Sequence, residues 1–278
     1  MRLMSQKRYE DLCFTDDFLF CKILSTDLAL TKELLELILQ VGIRKISIVQ
    51  PQKYAGILAD SKSVRFDVYV EDTKDSVYDI EMQTTDKGEL PQRSRYYQDI
   101  LDLNMLEKGM IYTKLHRSFV IFITTFDPFQ QGRYIYTFEN RCCEDPNFLL
   151  KDGVRRVFVN ADGHRGDVSP KMKHFLSYLK SQTATDTFTK RLDEAVRSAR
   201  LHKEWRQDYM TLNMKLNEAR SEGRAEGRAA GRTEGRLKTL YTLVHLGKVS
   251  VEDAAGLAGM SVSEFERYMS EKPTPEES

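Results

Sequence analysis

The stretch whose reading decides the fold is VRFDVYVEDTKDSVYDIEMQTTD, residues 64–86. Val64–Val70 and Ser76–Gln83 alternate apolar and polar residues around a polar loop of Glu71, Asp72, Thr73, Lys74 and Asp75, the pattern of a β-hairpin. Each run carries a carboxylate at its centre, Asp67 and Glu81, and the second ends in an amide, Gln83. Side chains alternate faces along a strand, so Tyr78, Ile80 and Met82 share one face while Val77, Asp79, Glu81 and Gln83 share the other. The same alternation puts Phe66, Val68 and Val70 on one side, and Arg65, Asp67 and Tyr69 on the opposite side. Pairing the apolar faces sets Asp67 beside Glu81 and Gln83. Carboxylates this close repel unless a cation lies between them. A hard divalent ion such as Mg2+ or Mn2+ satisfies both, because it prefers oxygen ligands. Alternation alone leaves an ordinary solvated hairpin face as the competing reading.

Upstream of the hairpin, residues 16–40 read as helix, with Leu28, Thr31, Leu34, Leu35 and Ile38 at helical spacing. Thr26 or Asp27 is placed to cap a second helical segment there. Lys45–Val49 and Lys53–Ala59 read as strands. Downstream, residues 90–110 return to helix, one face marked by Tyr97, Ile100, Leu101, Met105 and Leu106. Arg93 and Tyr97 stand four apart and share a face. They are placed either to orient the carboxylates or meet a nucleic-acid backbone, or else to pack on the sheet and face solvent. Arg117–Phe126 is nearly all apolar, as suits a central strand covered on both faces. Gly132–Glu139 and Val154–Val159 add further strands. The order helix, three strands, helix, strand predicts an α/β core with extra strands after it.

Ser169–Asn217 is helical in pattern and precedes EARSEGRAEGRAAGRTEGRLK, a repeat of four residues. Arginine recurs at Arg220, Arg224, Arg228, Arg232 and Arg236, and glycine at 223, 227, 231 and 235. Each interior glycine costs a helix about 1 kcal/mol against alanine. The repeat therefore reads as a weakly stable polar connector, or as a helix completed by a partner on its small-residue stripe. Lys190–Lys238 holds 13 basic and 8 acidic residues. That excess suits phosphate contact, although the accompanying glutamates suit a solvated or self-associating helix. The last segment reads as two short helices begun by Ser250 and Ser261, with Gly247 and Gly259 at C-terminal positions. Val251, Ala254, Ala255, Leu257 and Met260 are expected to pack them together. With one basic residue, Arg267, in its second helix, the pair reads as a packing or dimerisation module and not a major-groove reader.

The chain has 278 residues, 41% hydrophobic and 30% charged, with a formal net charge of +0. It is long enough for a main domain and an appendage, and no global field argues for or against nucleic acid. Four cysteines without a CxxC pair and five scattered histidines exclude a disulfide framework and common zinc motifs. MRLMSQKRYEDLCFTDD has no apolar run suited to a signal peptide, and no window approaches a membrane span, so a cytoplasmic protein without membrane contact is expected. No P-loop, dinucleotide fingerprint or G-x-S-x-G occurs, and no organic cofactor is expected.

TDDFLFCKIL, FDVYV, YDIEMQ and RSRYYQDILDLNMLEKGMIYTKL, in that order, resemble the PD-(D/E)XK nuclease superfamily. The nearer likeness is to its transposase-like branch, the recombination-promoting nucleases, and it spans residues 12–240. The EGR-type repeat before a small helical segment recurs in that group. The sequence departs from the superfamily pattern in three places. Phe66 replaces the proline before Asp67, Gln83 takes the place of the lysine, as is usual in this branch, and Phe20-Cys21-Lys22 shifts the FK of the first helix.

The resemblance implies a restriction-endonuclease-like core and a metal-dependent endonuclease acting on DNA. Asp67, Glu81 and the Met82 carbonyl would hold Mg2+ or Mn2+, and Gln83 would orient water or touch the scissile phosphate. Asp17 is an accessory acid or a helix cap. The expected layout is a nuclease-like domain over 1–168, a helical extension over 169–219, the repeat over 220–238, a helical pair over 239–270 and a disordered tail over 271–278. Competing functions are a nuclease fold that binds DNA or a protein partner without turnover, and a nuclease acting on RNA. A homodimer is a further expectation.

Overall fold

A computed structural model describes residues 7–55, 64–73, 76–106 and 108–271, without the side chains of Ile48, Tyr54, Ala55 and Val64. Lys74 and Asp75 of the hairpin loop, residues 56–59 of the expected second strand and 272–278 of the expected tail lie outside the described residues. The two alternating runs become β2 (Val64–Asp72) and β3 (Ser76–Gln83), paired antiparallel. The preceding strand is one element, β1 (Ile46–Ala55), where two shorter runs were expected. Pro51 interrupts the sequence pattern but not the strand, because β1 is at the sheet edge, where a missing N–H leaves no neighbour unpaired.

A parallel partner for β3 requires a crossover, supplied by α3 (Leu90–Met105), and β4 (Arg117–Thr124) follows. Seven of the eight β4 residues are buried, as its continuous apolar run predicts. With β5 (Ile135–Phe138) and β6 (Val154–Asn160) the sheet order is β1-β2-β3-β4-β6-β5. Tyr69, Val77, Val120, Phe122 and Phe158 pack with Tyr97, Ile100 and Leu101 of α3. Leucine and phenylalanine side chains buried this fully contribute roughly 1.5–3 kcal/mol each.

Two helices precede the sheet, α1 (Asp17–Thr26) and α2 (Leu28–Leu39). Asp27 separates them and caps α2, its side chain accepting from Leu30 N at 2.8 Å. Leu28, expected on the buried face, is 47% exposed because it opens α2 beside this cap. Two later helices, α4 (Pro170–Ser181) and α5 (Thr187–Leu201), pack on this pair. Lys171 and Arg191 both reach Glu33 of α2, and Tyr9 OH donates to Ala199 O at 2.6 Å.

The chain divides into a unit of Met1–Gln207 and one of Asp208–Ser278. The glycine repeat is helical throughout, within α6 (Lys203–His245). In the second unit Leu240 of α6 packs with α7 (Val251–Ala258) and α8 (Val262–Ser270) through Ala254, Ala255 and Phe265. Ser250 and Ser261 cap α7 and α8 as their spacing predicts. Leu257, expected to pack, is 53% exposed, and Phe265 fills the core instead. Among the described residues no helix is long and apolar enough to cross a membrane.

Candidate active site

Phe66 and Tyr69 stand three apart, yet both belong to the cluster under α3, with Phe66 and Tyr97 ring centroids 5.6 Å apart. Strict alternation would put them on opposite faces, so the expected face assignment of Phe66 is overturned. The cause is local. The ladder between β2 and β3 runs from Glu71↔Val77 to Val68↔Ile80. Beyond it, side chains take over from backbone. Asp67 N–H donates to Glu81 Oε1 at 2.9 Å, and Met82 N–H donates to Asp67 Oδ2 at 3.2 Å. Replacing ladder bonds re-aims a strand as a bulge does. Arg65 then faces α1, ion-paired to Asp17 at 3.0 Å, while its neighbour Phe66 faces α3. The two helices therefore cover opposite faces of the sheet, and the carboxylates lie where β2 and β3 part.

Pro91 in the first turn sets the start of α3 and brings Arg93 over the end of β3. Arg93 Nη2 donates to Glu81 Oε2 and to Tyr97 OH, each at 2.7 Å, and Nη1 donates to Gln83 Oε1 at 2.8 Å. Gln83 Nε2 is held by Thr85 O at 2.9 Å. Arg93 thus gives Glu81, one of the two carboxylates, a cationic partner, and Tyr97 both packs on the sheet and fixes the guanidinium. Asp16 occupies the N-cap position of α1, so Asp17 is free of that role. Asp17, Cys21 and Asp67 each bring a donor atom within 4.8 Å of the other two. Lys22, of the shifted FK, lies over the rings of Phe18 and Trp205.

Burial pushes the Asp67 carboxyl up to about 9, and the charges of Glu81 and Asp17 add to it. Burial also pushes Glu81 up, to about 7, against the opposing pull of Arg93 and the Asp67 amide. Asp79, fully buried on the same face as Glu81, is pushed well above the usual carboxylate range by burial and by Glu81 and Asp67. Among the described residues neither oxygen of Asp79 has a hydrogen-bond partner. Buried without a partner, the Asp79 carboxyl favours its neutral, protonated form. Three buried carboxyl groups against one guanidinium hold protons in place of charge, protons that a bound cation would displace. With an all-oxygen donor set, Asp67 and Glu81 fit a hard divalent ion.

A model of the PD-(D/E)XK nuclease family transposase matches residues 14–211. The chain belongs to this family. Neither the curated proteins nor the solved structures give a match. The matched span takes in the sheet, α1 to α5 and the start of α6. Such a domain carries a nuclease-like function, in a family whose members typically use divalent metals. Asp67, Glu81, Gln83, Arg93, Tyr97 and Asp17 all meet at the parting of β2 and β3. Arg220, Arg224, Arg228, Arg232 and Arg236 lie exposed along α6 in the second unit. Sequence reasoning passed over Asp79 and Cys21 as site neighbours. Both were legible, Asp79 two before Glu81 on one strand face and Cys21 four after Asp17 on one helix face. The pairing of Arg65 with Asp17, 48 residues apart, leaves no local signal.

Proposed function

We propose that the protein is a metal-dependent endonuclease that hydrolyses phosphodiester bonds in DNA. The observation that carries this reading is the pair Asp67 and Glu81, buried where β2 and β3 part, Glu81 accepting from the Asp67 amide and Asp67 from the Met82 amide. Asp67, Glu81 and the Met82 carbonyl would hold Mg2+ or Mn2+. Such an ion would supply neutralisation of charge on the phosphate and acidification of water. Arg93 fixes Glu81 and Gln83 relative to each other, which pre-arranges the site before substrate arrives. Gln83 presents a neutral amide able to donate to phosphate or accept from water. Asp17 adds an accessory carboxylate, steadied by Arg65. The five arginines of α6 would contact phosphates without regard to sequence.

Plasmid nicking by the full chain tests this. Cleavage with Mg2+ or Mn2+, absent with chelator and in Asp67→Ala or Glu81→Ala variants that keep their circular dichroism, supports it. Binding without cleavage in every metal would replace it with a binding function on the nuclease fold. Cleavage of RNA alone would move the substrate class.

A further inference from the structure

We propose that Asp17, Cys21 and Asp67 form a site for a thiophilic divalent cation of the zinc class, which takes Asp67 from the Mg2+ or Mn2+ site and so excludes the catalytic ion. The exclusion rests on the proposed function; the site itself does not. Three side chains from two elements converge, with one donor atom of each within 4.8 Å of the others. Asp17 and Cys21 stand four apart on α1, so both point from one helix face toward β2. Cys21 Sγ lies 3.6 Å from Asp17 Oδ1. A tetrahedral ion with a sulfur ligand at about 2.3 Å and an oxygen ligand at about 2.0–2.2 Å has an S···O edge of about 3.5 Å. The two helix ligands already stand at that spacing.

The donor types decide which ion. Mg2+ takes oxygen in octahedral geometry and gains nothing from sulfur, whereas zinc and cadmium bind thiolate with carboxylate. Arg65 holds Asp17 Oδ2 at 3.0 Å, which leaves Oδ1 turned to Cys21. Cys21 is buried, but the Asp17 side chain is 46% exposed and opens the way from solvent. The ion displaces the thiol proton on binding. The remaining ligand position is left for water.

Cadmium reads the site without any need for cleavage. In full-length protein with Cys13, Cys142 and Cys143 changed to Ser, one equivalent of Cd2+ is expected to raise the ultraviolet charge-transfer absorption of a cadmium thiolate. Cys21→Ser in the otherwise natural chain should lose the tight component of that signal. Asp17→Asn, at a half-exposed position, should weaken Cd2+ at least tenfold while the fold stays intact. Excess Mn2+ should raise the Cd2+ midpoint at least tenfold. No band in a folded triple variant, or an unchanged midpoint in Asp17→Asn, overturns the site. An unchanged midpoint under Mn2+ overturns the exclusion. A band in a protein that cleaves nothing sinks the nuclease reading and leaves the site standing.

Discussion

Arg93 puts a guanidinium 2.8 Å from Gln83 Oε1 and 2.7 Å from Glu81 Oε2. A positive charge therefore stands beside Glu81 and Gln83, where the superfamily pattern has a lysine and this chain a neutral amide. Gln83→Leu keeps similar bulk but neither donates nor accepts. It is expected to slow cleavage at saturating Mn2+ by about 10²; a rate equal to wild type would strip Gln83 of any catalytic part. Asp67 gives a prediction in pH. Its folded pKa lies near 9 against about 3.9 for an unfolded aspartate, so the ionised group opposes folding. That opposition is absent below pH of about 4, grows as pH rises, and is complete once pH passes the folded value. Metal-free Asp67→Asn, which keeps the acceptor for Met82 N–H, should melt with wild type near pH 4 and several degrees higher at pH 8. About 1 kcal/mol corresponds to roughly 2–4 °C for a domain of this size. A lower midpoint at pH 8 would mean that the carboxylate holds the fold together.

Among the elements, those with strong periodicity were legible and those fixed by long-range bonds were not. The hairpin, the apolar run of β4, the α3 face and the Asp27 cap follow from spacing and from residue chemistry that acts over one turn. The break in alternation between Phe66 and Tyr69 depends on Glu81 accepting from the Asp67 amide and Asp67 from the Met82 amide, and only the paired strands show it. The continuity of α6 ran against propensity, since four glycines argued for a weak connector. Nothing lies within 4 Å of a Cβ added at Gly223, Gly227, Gly231 or Gly235. Changing all four to alanine should therefore strengthen the helix by about 1 kcal/mol per site, seen as a higher melting temperature of the far-ultraviolet signal. A fall in stability would reveal a partner, such as a second copy, seated against the stripe.

Across the whole molecule, α4 and α5 belong with the sheet-bearing unit, which runs to Gln207, well past residue 168 where the expected nuclease-like domain ends. Phe188, Leu192, Val196 and Ala199 of α5 are buried, and Arg200 Nε donates to Leu12 O at 2.7 Å. The amphipathic pattern announced these helices without saying what they cover, because the covered surface lies more than 150 residues away in sequence. A chain ending at Gln207 should fold and keep the carboxylate site. One ending at Gln182 loses α5 and should melt far lower. If α6 meets DNA through its arginines, the Gln207 chain binds more weakly, with a salt slope shallower by about 0.9 for each phosphate that α6 neutralises. Equal slopes in a binding titration would remove α6 from that role.

The bonds from the Asp67 amide to Glu81 and from the Met82 amide to Asp67 make the site observable from the backbone. The amide protons of Asp67 and Met82 are shielded from solvent by carboxylates and not by a neighbouring strand's carbonyls. Any cation that draws those carboxylates to itself loosens the shield at two identifiable positions while the ladder from Val68 to Glu71 stays closed. Hydrogen–deuterium exchange at Asp67 and Met82 should accelerate on adding Mn2+ and at no other β2 or β3 amide. Two backbone protons thus serve as a built-in gauge of occupancy, readable in a protein that has never met its substrate.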